Sequence, residues 1–354
     1  MLPTVSVILP VRNEAAFIER SLGAVLAQDY PAELTEVIVA DGMSDDGTLE
    51  AAGRLLARRA NARVIANPER IVATGLNRAT REARGEIIIR VDGHAEVAPD
   101  YVRRCVEHLR QGADGVGGAV ETIGEGPMAQ AIAAAMSSKF GVGDSAFRTE
   151  RGQTKLVDTV PFPAYTRALV DRAGPYDPEL VRNQDDEYNY RLRKMGARLL
   201  LAADVRSRYY SRSSLRSLWR QYRQYGYWKV RVLQKHPLQM RARQFVPPAF
   251  VAALIATAVA AAFSPMGRVA LGALAAVYAV ANMSATLVVL RRERLIQPSV
   301  LPVVFATLHV AYGVGFLHGL IQFWNRWTLP GSRRRIAAPD GVDAARSSMT
   351  RQGG

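Results

Sequence analysis

The sequence predicts an α/β fold with a mostly parallel, doubly wound sheet, followed by a C-terminal α-helical transmembrane region. Two observations predict it. Up to about Lys235 short β-branched runs alternate with apolar residues at helical spacing, and after Phe245 the apolar residues fuse into long stretches. A bilayer span needs roughly 20 such residues. With 354 residues, 49% of them hydrophobic, the chain has material for a catalytic-sized core plus an appendage.

The elements follow in order. Val5-Ser6-Val7-Ile8-Leu9-Pro10 is a strand-like run stopped by proline, and residues 14–27 place Phe17, Ile18, Leu22, Val25 and Leu26 on one helical face. Val37-Ile38-Val39-Ala40 reads as a second buried strand ending at Asp41, followed by a Gly/Ser/Asp-rich turn, a helix over 49–59 and a short strand at Arg63-Val64-Ile65. A third apolar run, residues 86–91, ends in Asp92-Gly93-His94. Ligands of such sheets bind outside the carboxyl ends of the strands, where residues 10–14, 41–48 and 92–94 all fall. Residues 127–141 form an Ala/Met-rich helix with two readings: membrane- or acceptor-facing, or buried core.

Three spans are expected, over residues 245–263, 269–290 and 300–323, separated by Ser264-Pro265-Met266-Gly267-Arg268 and by Arg291-Arg292-Glu293-Arg294. Lys235 and Arg241 before the first span and the arginines after the second assign both flanks to the cytoplasmic side. Three spans then carry the C-terminus outside, whereas Arg326 and Arg333-Arg334-Arg335 favour the inside. That conflict points to a re-entrant segment or to a tail that breaks the rule. Aromatic and basic residues over about 206–235 read as interfacial helices, and residues 331–354 as a basic, then disordered tail.

The net charge is +14, from 46 basic and 32 acidic residues. Much of it sits beside the apolar segments, which makes lipid headgroups the expected partner and excludes nucleic acid. Cys105, the single cysteine, cannot form an intramolecular disulfide, and no secretory start is present. The N-terminal domain, residues 1–235, is expected in the cytoplasm of a multi-pass protein of the inner or plasma membrane, with 245–324 as its membrane region.

Gln184-Asp185-Asp186-Glu187 opens a helix that reaches Tyr190-Arg191-Leu192. Alone, acids at a helix start satisfy the helix dipole. With Asp41 and Asp92 upstream, the third acidic station points to chemistry on a phosphate-bearing substrate.

Pro10-Val11-Arg12-Asn13-Glu14, Asp41 through Thr48, Asp92-Gly93-His94 and Gln184 through Glu187 resemble, in order, the signatures of the family 2 inverting glycosyltransferases with the GT-A fold. The resemblance covers about residues 5–235. Arg182-Asn183-Gln184-Asp185-Asp186-Glu187 and Gln224-Tyr225-Gly226-Tyr227-Trp228-Lys229 look like the ExoA-type enzymes of exopolysaccharide assembly. The resemblance implies a Rossmann-like nucleotide-binding sheet, a nucleotide-sugar donor (a UDP-sugar), a lipid-linked saccharide or polysaccharide acceptor, and a divalent metal, Mg²⁺ or Mn²⁺. It carries the catalytic base onto Asp185, with Asp186 the neighbour next in line and Glu187 the later acidic position. Gln224-x-x-Tyr227-Trp228 resembles the Gln-x-x-Arg-Trp motif of processive synthases, in which Trp stacks on a sugar; Tyr227 replaces the arginine.

Each station also has a direct reading. Asp41 accepts from the uracil ring, with Ser44 of the following turn also at the substrate, while the backbone of Val11 and Arg12 meets the ring's other edge; the competing reading is an ordinary turn or helix-capping aspartate. Glu14 reaches ribose hydroxyls, or is a first-turn glutamate. Asp92 holds a hard cation against the leaving diphosphate. The family's second aspartate is His94 here, an imidazole that suits Mn²⁺ better than Mg²⁺ or meets a phosphate directly. Gly117-Gly118 and residues 158–162 fall where the family has a sugar-proximal glycine pair and the loop before the base helix. The expected activity is a membrane-anchored, metal-dependent, inverting hexosyltransferase. The alternatives are a polyprenyl-phosphate sugar synthase and a catalytically silent scaffold subunit.

Overall fold

A computed structural model describes residues 1–149 and 152–327; the tail expected over 331–354, with Arg333, Arg334 and Arg335, lies outside the described residues. β1 (Val5–Val11) is buried at every position, as a strand covered on both faces must be. α1 (Ile18–Leu26), β2 (Thr35–Asp41), α2 (Thr48–Leu56), β3 (Ala62–Ala66), α3 (Val72–Glu82) and β4 (Ile87–Arg90) continue the alternation. Strands β3, β2, β1 and β4 are parallel neighbours in that order, with Val11 opposite Asp41 and Ile8 opposite Arg90. Their carboxyl ends therefore share one edge. Val5, Val7 and Leu9 face the helices α1 and α2, whereas Ile8 faces α3, which is the period of two expected of a strand between two cores.

The second half is β5 (Ala95–Val97), α4 (Tyr101–Arg110), β6 (Gly115–Ile123), α5 (Pro127–Met136), α6 (Lys139–Val142), α7 (Ala146–Thr149), β7 (Lys155–Leu156), β8 (Ala164–Thr166), α8 (Arg167–Ala173), α9 (Gln184–Lys194) and β9 (Leu199–Tyr210). β8 runs antiparallel to both β4 and β6, β6 is parallel to β9, and β5 and β7 pair antiparallel with β9. The nine described strands form one mixed sheet, β3-β2-β1-β4-β8-β6-β9-β5 with β7 on β9. Three-residue β8 is too short to show a period in sequence, so the antiparallel insertion was not legible. Gly117 and Gly118 lie inside β6, and the register shifts after Gly118, where a Cβ would meet the Val205 carbonyl. This close approach, not a turn, is what those glycines permit.

The interfacial helix expected from residue 206 starts later. β9 continues to Tyr210 with Val205, Ser207 and Tyr209 buried and Arg206 and Arg208 exposed, a strand period. α10 (Leu215–Lys235) begins after Ser214, whose Oγ accepts from Ser217 N at 3.2 Å.

α11 (Val246–Phe263), α12 (Pro265–Leu290) and α13 (Leu301–Gln322) are long and apolar enough to cross a membrane. They match the expected spans except at the first junction. Pro265, Met266, Gly267 and Arg268 are helical, with proline at the first position, and Ser264 alone links the helices while its Oγ accepts from Gly267 N at 2.9 Å. The Ala/Met-rich α5 is a core helix: it packs on β6 and α13 with Ala131, Ile132, Ala135 and Met136 buried.

Candidate active site

A crevice of ≈ 640 Å³ opens at the shared carboxyl edge of the sheet. Pro10, Arg12 and Glu14 line it after β1, Asp92 and His94 after β4, and Gln184 and Asp185 at the start of α9, with Gln224 of α10 closing the side. Four stations distant in sequence thus meet in one place.

Arg90 and Asp92 are two residues apart on an extended segment and point the same way. Arg90 Nε and Nη2 donate to the two Asp92 oxygens at 2.7 and 3.1 Å, with the Arg90 side chain 8% exposed. Burial pushes the Asp92 carboxyl up, but the Arg90 guanidinium outweighs it and holds it below the usual aspartate range. His94 Nδ1 lies 2.9 Å from Glu14 Oε1. Burial lowers its basicity, and the Glu14 contact, Tyr209 and the Glu14 and Asp92 charges more than reverse this, pushing it up to about 9. Without a bound cation His94 is an imidazolium at neutral pH, and it could ligate a metal only by giving up that proton. Glu14, expected at the ribose, therefore spends one oxygen on orienting His94.

The acidic run at α9 splits by helical period, since successive residues turn by about 100°. Asp185 opens onto the crevice. The enclosing walls raise its carboxyl above the aspartate range, Arg90 opposes this and Asp186 adds to it. Asp186 faces the other way and is ion-paired to Lys229, so the structure separates it from the crevice. Glu187, expected at the substrate, is buried: Arg191 Nε donates to it at 2.6 Å, and His236 Nε2 lies 3.0 Å from the same oxygen. Gln184 lines the crevice, and its Oε1 is buried with no hydrogen-bond partner among the described residues.

Glu187 yields a stability prediction. Burial raises its carboxyl, but the His236 and Arg191 hydrogen bonds win and hold it below the ordinary glutamate value. A depressed folded value means that the stabilisation is present above the unfolded value and lost as pH falls through the folded one. Glu187→Gln is expected to cost about 3 kcal/mol near neutral pH in thermal unfolding of the detergent-solubilised chain. Its stability should also fall less steeply than wild type below the ordinary glutamate range.

Three expected residues, Asp41, Ser44 and Trp228, stand back from the crevice. Asp41 is 4% exposed, and its oxygens accept from Ser44 N at 3.0 Å and Ser44 Oγ at 2.5 Å, so both residues brace the loop whose Gly42 forms the wall. Trp228 shares the stripe of Gln221 and Gln224 but lies a turn further along α10, past the crevice, against Phe323 with ring centroids 5.8 Å apart. Gln224 itself accepts from Arg182 Nε at 3.1 Å, and Asn183 Nδ2 donates to the Tyr225 carbonyl at 2.9 Å, tying α9 to α10.

Sequence reasoning missed the cations. Arg90, Arg148, Arg182, Arg212 and Arg220 line the crevice beside Arg12. Arg90 carried a signal, a lone charge inside a buried apolar strand; the others come from helices and loops whose convergence no local pattern reveals. They bring positive charge to the crevice, while Lys229 is committed to Asp186.

The donor set bears on a metal. No group of three His, Cys, Asp or Glu side chains among the described residues could hold an ion alone. Asp92 and His94 offer at most two donors, so any cation here takes its remaining oxygens from substrate phosphates. That is how a hard divalent ion binds at a diphosphate, and Asp92, joined by His94 once its proton is lost, fits it.

Comparison with known proteins bears on the family and the fold. The model of glycosyl transferase family 2 matches residues 6–174. The succinoglycan biosynthesis protein ExoA of Rhizobium meliloti (strain 1021) is 32% identical over 330 residues, 90% of this chain and 96% of ExoA. The dolichyl N-acetyl-α-D-glucosaminyl phosphate 3-β-D-2,3-diacetamido-2,3-dideoxy-β-D-glucuronosyltransferase of Methanococcus voltae is 26% identical over 90% of this chain and 97% of its own. The mannosyltransferase PcManGT from Pyrobaculum calidifontis, solved with GDP-Man and Mn²⁺, superposes with a TM-score of 0.59 at 23% identity, covering 90% of this chain and 88% of PcManGT. That superposition shows the shared GT-A fold. The chain belongs to glycosyl transferase family 2 and is related to the glycosyltransferases of exopolysaccharide and lipid-linked glycan synthesis.

Proposed function

We propose that the chain transfers a hexose from a UDP-sugar to a lipid-linked or growing polysaccharide acceptor, with inversion, at the cytoplasmic face of the plasma membrane. Residues 1–235 are its catalytic domain and 245–324 its membrane region. The observation that carries this reading is Asp185: it is the one member of the acidic run open to the crevice, and its carboxyl is raised. A base of that kind takes the proton of an acceptor hydroxyl as the oxygen attacks the anomeric carbon. The bond to the diphosphate breaks on the opposite face, so an α-linked donor gives a β-glycoside.

The other residues act around that step. Arg182, with Arg148 and Arg220 nearby, meets the charge growing on the leaving diphosphate. Gln184 Oε1 accepts from a sugar hydroxyl, and the backbone at Pro10 and Arg12 with the Asp41–Ser44 brace shapes the nucleotide end. Asp92 and His94 would hold a divalent ion, Mg²⁺ or Mn²⁺, whose contribution is to neutralise the diphosphate. PcManGT, with GDP-Man and Mn²⁺, supports a donor and metal of this class.

The test is nucleotide release from UDP-glucose, UDP-galactose, UDP-N-acetylglucosamine and other donors, in native membranes with a divalent cation. Release with at least one donor is expected from wild type, and near-complete loss in Asp92→Ala and Asp185→Asn. Silence with every donor would sink the enzymatic reading in favour of a scaffold subunit.

A further inference from the structure

We propose that α13 does not cross the membrane. It lies along the membrane-facing side of the catalytic domain, and α11 and α12 alone insert, as a hairpin with both ends on the catalytic side. This rests on the membrane placement proposed above.

The catalytic domain covers α13 from end to end. Leu301, Val304, Phe305 and Leu308 are buried in the same core as Ile132 of α5 and Leu218 of α10. Mid-helix, Gly226 of α10 abuts the Tyr312 carbonyl and Gly315 abuts the Arg223 carbonyl, with no room for a Cβ at either. At the far end Gln234 Nε2 donates to the Phe323 carbonyl at 2.7 Å, and Arg326 Nη1 to Glu179 at 3.1 Å. The contacts advance together along both helices, so α10 and α13 run side by side in the same direction. Glycines let the two backbones touch.

α10 cannot enter hydrocarbon. Gln221, Gln224 and Tyr225 on it line the crevice, and it carries Arg216, Arg220, Arg223, Lys229, Arg231 and Lys235 along its length. An α13 standing across the bilayer would drag these charges into the apolar layer, where each is costly. The pair must therefore lie along the interface, with α13 one helix diameter below the crevice wall.

The hairpin is built differently. Its base half packs on α13: Pro248 and Val251 of α11 and Asn282, Thr286 and Val289 of α12 are buried, Asn282 Nδ2 donates to the Pro302 carbonyl at 2.9 Å, and the Tyr278 hydroxyl, midway along α12, lies 2.9 Å from His309 Nδ1. Towards the tip, Ile255, Val259, Phe263, Met266, Val269 and Val277 are each more than half exposed. An apolar surface of that extent on two paired helices fits lipid chains.

Charge placement agrees. Arg241 and Arg243 precede α11, Arg291, Arg292 and Arg294 follow α12, and Arg326 follows α13. With α13 along the surface all of them fall on one side, as cytoplasmic cations do. The conflict between three spans and a cationic end disappears. An acceptor carried in the same leaflet reaches the crevice along α10 without leaving the membrane surface.

Ser299→Cys and Asn325→Cys, both exposed and flanking α13, test this in the full chain. Each is reacted with a membrane-impermeant maleimide in sealed inverted and right-side-out vesicles, with the unsubstituted chain, whose Cys105 is buried, as background. Both are expected to label in inverted vesicles and to lose labelling in right-side-out ones. Labelling of the two sites from opposite faces overturns the proposal. A phosphatase active only outside the cytoplasm, fused behind Gly354, is expected to be inactive, and an active fusion overturns it independently. Recovery of the chain outside the membrane fraction would refute the membrane reading itself; opposite-face labelling refutes this topology alone.

Discussion

Asp185→Asn is expected to leave donor binding near wild type and to slow glycosyl transfer by about 10²- to 10⁴-fold, the range that one positioned general base contributes. The substitution conserves volume, and its carbonyl oxygen can keep the contact that Asp185 Oδ1 accepts from Asp186 N at 2.9 Å. Helix α9 should therefore keep its place. Asp186→Asn separates the neighbours: its partner Lys229 is 4% exposed, so the variant is expected to lose stability more than chemistry. The pH profile adds a sign check. The base works deprotonated and its carboxyl is raised, so wild-type activity rises with pH through a value above the ordinary aspartate range. The measurement is kcat and KM for nucleotide release, with donor affinity from equilibrium binding. Undiminished kcat in Asp185→Asn would remove the base assignment and favour the polyprenyl-phosphate reading, whose phosphate acceptor needs no strong base.

Much of this site was legible in sequence because strand ends are. β1, β2 and β4 each carry a short apolar run, Val7-Ile8-Leu9, Val37-Ile38-Val39-Ala40 and Ile87-Ile88-Ile89, although β1 continues through Pro10 to Val11, and the rule that ligands bind at carboxyl ends placed Pro10, Glu14 and Asp92 at one edge. Asp185 over Asp186 rests in sequence on the motif alone, and in the structure Asp185 lines the crevice while Asp186 pairs with Lys229. What stayed hidden depended on contacts between distant segments. Glu187 is committed to His236, 49 residues on, and Asp186 to Lys229, 43 residues on. A buried ion pair leaves no local trace, so an acid held by one looks the same in sequence as an acid facing substrate. Trp228 misled for a different reason: its stripe on α10 is the right one, and only the length of the crevice excludes it. Composition makes α13 a candidate span, and the surface placement proposed above would leave no trace in it, since apolar content is the same whether a helix faces lipid or a protein core.

Asp92→Asn separates two roles that the Arg90 fork combines. Removing the charge leaves a guanidinium that is 8% exposed without its bidentate partner, a loss of about 3 kcal/mol for a broken buried pair. For a chain of this size that is a fall of roughly 4 °C in Tm, read by thermal unfolding in detergent. Transfer is expected to drop by about 10²- to 10³-fold, because the diphosphate loses Asp92 and because Arg90, released, turns its charge on Asp185, which it already pulls down. A second substitution distinguishes these causes. Arg90→Met in the Asp92→Asn background removes the stranded cation, so stability is expected to recover most of the loss, the two changes being strongly non-additive as contacting residues are. Activity should stay low in the double variant, because the side chain facing the diphosphate is still missing. If activity returns with stability, Asp92 serves only to neutralise Arg90, and its assignment to the leaving group fails.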